Sequence, residues 1–154
     1  MFVRPNRKAV NEKIKQLNLV VKKELAINES ASFISERRLN WFKENKGILK
    51  KYHNLPPEEK AYRIIFFDHM KINPRYSKMI RVNKNKIKIE SSNFCPYLEA
   101  CKELKLDVKM ICKKIGEPSI NKLCEMINRR LKFSRNYKKL RPFHTFCEEY
   151  IEIK

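Results

Sequence analysis

Near residues 73–78 the hydrophobic period of this chain changes, and that change limits its fold more than any other feature. Before it, apolar residues recur at helical spacing: Ile14, Leu17, Val21 and Leu25, then Leu39, Trp41, Phe42, Ile48 and Leu49, then Tyr62, Ile65, Phe66 and Met70. After it, short stretches alternate apolar and polar, as in Ile87-Lys88-Ile89 and in Cys147, Glu149, Ile151 and Ile153 against Glu148, Tyr150 and Glu152. A 3.6-residue period buries one stripe of a helix, and a period of two buries one face of a sheet. The chain therefore predicts an α+β fold: a helical N-terminal half followed by a small antiparallel sheet packed with helices. We expect residues 1–72 as a helical region and 73–154 as a cysteine-containing α+β region, together one continuous domain, since 154 residues suit a single core.

The spacing predicts helices over 7–27 and 35–52, with 30–35 as a capped break between them. Pro56-Pro57-Glu58-Glu59 reads as a helix start, because proline tolerates the first turn and carboxylates favour the positive end of the helix dipole. That helix should end at Asn73-Pro74. Met79–Val82 and Ile87–Ile89 flank a polar turn and read as paired strands. Further helices are expected over 96–105 and 117–127, with 108–114 ambiguous, and strands over 131–133 and 147–153. His69, beside Asp68 and in reach of Glu59, reads as a solvated or hydrogen-bonded helix residue.

Charge is the second constraint. Lys and Arg number 36 against 17 acids, a net +19. Two stretches, 71–88 and 129–141, hold no acid. Basic residues interleaved with aromatics can contact phosphates while the rings stack on bases, so Arg75, Arg81, Arg129, Arg130, Lys132, Arg135, Tyr137, Lys138, Lys139 and Arg141 are candidates for RNA or DNA binding. Solvated surface is the plainer alternative. The N-terminus turns polar at once, and no apolar run approaches the roughly 20 residues of a membrane span. No signal peptide or transmembrane segment is expected, and a cytoplasmic location is. Only two glycines are present, which leaves little to build a phosphate-cradling loop.

Five cysteines sit at 95, 101, 112, 124 and 147, without a CxxC pair. In a chain without an export signal, reduced thiols are expected. Cys101 and Cys124 fall on apolar helix faces and read as buried core thiols. Cys95 precedes Pro96 at a helix start, where free N–H groups favour a thiolate. Cys147 follows His144 by three residues. Cys95, Cys112, Cys147 and His144 could make a Cys₃His site for zinc or iron. The other reading is a thiol–imidazole pair with Cys95 and His144 as reacting groups and Glu149, on the Cys147 face of its strand, as orienting base.

Asn93-Phe94-Cys95-Pro96, Ile111-Cys112, the turn Ile127-Asn128-Arg129-Arg130-Leu131-Lys132-Phe133 and the final Cys147 resemble small proteins of the L-2-amino-thiazoline-4-carboxylic acid hydrolase family, over about residues 55–153. The resemblance implies a compact α+β domain with Cys95, Cys112 and Cys147 as site thiols. It also implies thiol- or metal-dependent hydrolysis of a small cyclic amidine or thioimidate. Three function classes thus stand side by side: a small-ligand or metal-binding hydrolase-like domain, a basic nucleic-acid-binding protein without enzymatic activity, and a subunit that docks on a protein partner or on its own copy through apolar surface near Trp41 and Phe42.

Overall fold

The computed structural model describes residues 6–22 and 26–154. The expected helix 7–27 is present as α1 (Arg7–Lys22). Its continuation through Leu25, and the side chains of Leu19 and Val21, lie outside the described residues. Asn6 starts α1, its Oδ1 accepting from the backbone N–H of Ala9 (3.1 Å). The expected break over 30–35 does not form. Helix α2 (Ala26–Glu44) runs straight through it, because Ser30 and Ser35 are buried against the fold rather than capping an end. Ser30 Oγ donates to Gln16 O of α1 (3.4 Å), which satisfies the hydroxyl within the helix pair. A turn at 45–47 separates α2 from the short α3 (Ile48–Lys51), so the second expected helix is divided.

Helix α4 (Pro57–Tyr62) starts where the prolines and acids predict. Its acids do more than complement a dipole. Glu58 is buried, and Arg81 reaches both Glu58 (2.8 Å) and Glu59 (2.6 Å), tying the helix to the first strand. The chain continues as a wide, π-type turn over Arg63–His69 and leaves helical geometry at Lys71, whose φ of 56° is left-handed.

The second half holds β1 (Ser77–Asn83), β2 (Lys86–Ser91), α5 (Pro96–Leu104), α6 (Val108–Ile111), a second π-type turn (Cys112–Gly116), α7 (Glu117–Ile127), β3 (Leu131–Asn136) and β4 (Cys147–Ile153). The four strands form one antiparallel sheet in the order β1-β2-β4-β3. Register places Ile87 opposite Ile151 and Phe133 opposite Ile151, so these side chains fall on one face. The chain is thus an α+β fold: a helical N-terminal region followed by a four-stranded antiparallel sheet packed among helices. No described helix is long and apolar enough to cross a membrane.

The core comes in two clusters. One lies between the sheet and α2, α4 and α7, built on Phe42, Ile65, Phe66, Ile89, Leu123 and Phe133. The other joins α1, α2, α5 and α6 through Leu17, Ile34, Ala100, Ile111 and Leu140. Cys124 belongs to the first cluster and Cys101 to the second, as the apolar faces predict. Burial pushes both thiols up to about 12, which keeps them protonated.

Candidate functional site

Between the two clusters the side chains leave a cavity of about 270 Å³. The sheet explains its position. At one end the inward face is packed with Ile87, Leu131, Phe133 and Ile151, but at the other it carries Ser91, Cys147, Arg135 and Glu149. Cys147 pairs with Ser91 across β2 and β4, and Glu149 pairs with Arg135 across β4 and β3. Short or charged groups there cannot fill the space to the helices. Phe66, Met70, Ile72, Phe94, Ile111 and Ile120 give the cavity an apolar wall.

Cys95, Cys112, Cys147 and Glu149 all line this cavity, so the structure brings together four of the residues singled out from sequence. Cys95 is the N-cap of α5, as expected, although its side chain makes no capping hydrogen bond. Burial pushes the Cys112 thiol up to about 12, against the pull of Arg135, so the lysines that follow it do not activate it. Cys147 accepts from both the backbone N–H and Nε of Arg141 (3.4 Å each). Arg141 Nη1 also donates to Asn93 O, which fixes the guanidinium at the cavity wall. His144 is not among the lining residues. Its Nδ1 takes the Phe146 N–H (3.4 Å), and its ring meets Phe146 edge-on.

The expected Cys₃His metal site does not form. Among the described residues, no group of three or more His, Cys, Asp or Glu side chains is placed to hold a metal ion. Cys95 lines the cavity and His144 does not, so the cavity does not itself bring the two together.

Sequence reasoning missed the cations. Lys13 from α1 and Arg38 from α2 line the cavity with Arg135 and Arg141, facing the single carboxylate of Glu149. Arg38 is buried at 8% exposure, and its Nε donates to Ser119 Oγ (2.9 Å). Lys13 Nζ stands 4.4 Å from the centre of the Tyr97 ring. Burial, with Arg38 and Arg37 nearby, lowers Lys13 to about 8. His69 is not solvated: it packs on Trp41 (4.5 Å between ring centres) and its Nδ1 has no hydrogen-bond partner. Burial and the same cations lower it to about 3, so it is neutral at ordinary pH. Arg135 and Glu149 approach to 3.6 Å, yet Arg135 Nε and Glu149 Oε2 make no hydrogen bond. Burial raises the Glu149 carboxyl against the pull of Arg135 and Arg141. The signal available in sequence was Arg38 between Ile34 and Phe42, and Lys13 between Val10 and Leu17: charges set within apolar helix stripes.

On the sheet the first basic stretch supplies β1 and the start of β2, and the second supplies β3; Lys86 and Lys132 flank Glu152 of the intervening β4. Of the candidate nucleic-acid contacts, Arg81 is spent on Glu58 and Glu59, Tyr137 donates to Glu117 (2.7 Å), and Arg135 and Arg141 line the cavity. Arg75, Arg129, Arg130, Lys132, Lys138 and Lys139 remain exposed. Glu148 lies on the outward face of the sheet but is buried beneath Asn136, Tyr150, Lys88 and Lys139.

No family model matches the chain, and no curated protein matches it. Among solved structures it is similar to a trafficking protein particle complex subunit 3 from Naegleria fowleri, crystallised covalently bound to palmitic acid. The TM-score is 0.56 at 16% identity, over 96% of this chain and 95% of that one. At that identity the likeness shows the fold. It overturns the resemblance to the L-2-amino-thiazoline-4-carboxylic acid hydrolase family, since the fold shared over nearly the whole length is that of a trafficking-complex subunit. With the missing metal group, it also overturns the reading as a thiol- or metal-dependent hydrolase.

Proposed function

We propose that this protein is a non-enzymatic, subunit-type binding protein whose internal cavity holds one long acyl chain. The observation that carries the reading is the cavity itself: an apolar-walled space of about 270 Å³, held open between two core clusters and lined by three free thiols. Cavities of this kind bury most of a ligand's surface within apolar walls and use a few polar groups to orient it. The solved structure of similar fold is a complex subunit covalently bound to palmitic acid, which supports both the chain and the role in a protein assembly. The five free cysteines support a reducing, cytoplasmic setting. The test is intact-mass measurement of the purified protein, together with analysis of lipid extracted from it. A stoichiometric acyl group, attached or extractable, is expected. A protein that carries none and takes up none when offered long-chain acyl compounds would refute the reading.

A second reading, polyanion binding without catalysis, is favoured by the exposed Arg129, Arg130, Lys132 and Lys138, which lie along β3 and at its two ends. A salt titration of RNA binding decides it. Each phosphate contact adds about 0.7 to the slope of log affinity against log salt for a single strand, so replacing Arg129 and Arg130 by Gln should flatten the slope. An unchanged slope removes this reading.

A further inference from the structure

The cavity has a charged end that an apolar chain alone would not explain. Arg38 is almost fully buried; its Nε donates to Ser119 Oγ, Tyr97 stands beside it, and no carboxylate among the described residues lies within ion-pair distance. Lys13 Nζ has Gln16 Oε1 (3.2 Å) and Tyr97 Oη (3.4 Å) as polar neighbours, and no carboxylate among the described residues lies within ion-pair distance. Glu149, the carboxylate on the cavity wall, lies 3.6 Å from Arg135 and makes no ion pair with Arg38 or Lys13. A buried cation is costly unless an anion pairs with it. Here two cations from two different helices line one cavity without such a partner, and the same cavity is lined by Phe66, Met70, Ile111 and Ile120.

We infer that the chain held in this cavity ends in a free carboxylate, received head-inward between Arg38 and Lys13. The inference rests on the acyl-chain reading above and adds the head group to it. A planar carboxylate offers two oxygens to the guanidinium fork, which gives Arg38 the charge-assisted hydrogen bonds that no carboxylate of the chain supplies. Lys13 supplies a second positive charge from the facing helix, and its hydrogen bond to Tyr97 fixes its position. A neutral ester or thioester carbonyl would accept hydrogen bonds there but leave both charges uncompensated. The same electropositive end explains why His69, at the rim of this cluster, stays uncharged with an unpartnered Nδ1.

The experiment compares decanoate with decanol, which has the same chain length and a neutral head, on protein whose intact mass shows no attached acyl group. Binding is read by titration calorimetry and by the fluorescence of Trp41, which packs on His69. Decanoate should bind about tenfold tighter or more, the worth of hydrogen bonds to a charged group. In Arg38→Met with Lys13→Met the preference should disappear while decanol binding persists, which also shows that the variant is folded. Arg37→Met, at an exposed neighbouring position, should leave the preference intact. Equal affinity for the two ligands in the native protein would overturn the head-group inference and leave the chain reading standing. Failure of both ligands to bind would overturn the two together.

Discussion

Lys13→Met should make the ligand-free protein more stable at neutral pH, although it removes a hydrogen-bonded side chain. The ammonium is held at about 8 rather than 10.5, chiefly by burial and then by Arg38 and Arg37. At 1.36 kcal/mol per unit, the charged form costs roughly 3 kcal/mol at pH 7. Methionine keeps the unbranched stem and removes the charge. It loses the contacts to Gln16 and Tyr97, which at about 1 kcal/mol each offset part of the gain. A net stabilisation of about 1–2 kcal/mol is expected, a rise in Tm of roughly 2–8 °C for a chain of this size. The sign of the pH dependence follows from linkage. Between pH 8 and 10.5 the unfolded chain holds the proton that the native state has released, so native stability rises with pH through this window. The variant lacks that rise, so its advantage should shrink between pH 7 and pH 10. Urea unfolding followed by far-UV circular dichroism at both pH values measures the gap. A variant less stable than the native protein at pH 7, or a gap equal at both pH values, would refute the picture of an uncompensated buried cation.

The remaining expectations use the same assay. His69 is held at about 3 against an ordinary 6.5, so the native state loses stability as pH falls from 6.5 toward 3; His69→Phe should remove about 3 kcal/mol of the loss between pH 6.5 and pH 4. Glu149→Gln leaves Arg135 charged in the interior and should cost about 3–5 kcal/mol, with Arg135→Met in the same chain restoring most of it. Phe133→Ala empties a fully buried position between the sheet and α7 and should cost about 3–5 kcal/mol, read as a lower urea midpoint at unchanged slope.

Local patterns in the sequence determined most of the elements. Pro57 with Glu58 and Glu59 started a helix, and the alternation from Cys147 to Ile153 gave a strand whose inward face carries Cys147, Glu149 and Ile151. These are short-range consequences of backbone geometry, so they are written in neighbouring residues. The break expected over 30–35 failed because Ser30 and Ser35 are buried in the tertiary fold, Ser30 on a carbonyl of α1, which outweighed their preference for helix ends.

The site divided along the same line. That Cys95 stands at a helix start and that Cys101 and Cys124 sit in the core followed from spacing alone. That Cys95, Cys112 and Cys147 share one cavity with Lys13 and Arg38, while His144 lies apart from it, was decided only by packing. Those residues come from α1, α2, the loop before α5, the turn after α6 and strand β4, and no local period relates them. Tertiary structure also gave the charges their meaning. In sequence, Lys13 and Arg38 are two cations among 36; in the fold they are two that line one cavity with no carboxylate in ion-pair reach among the described residues.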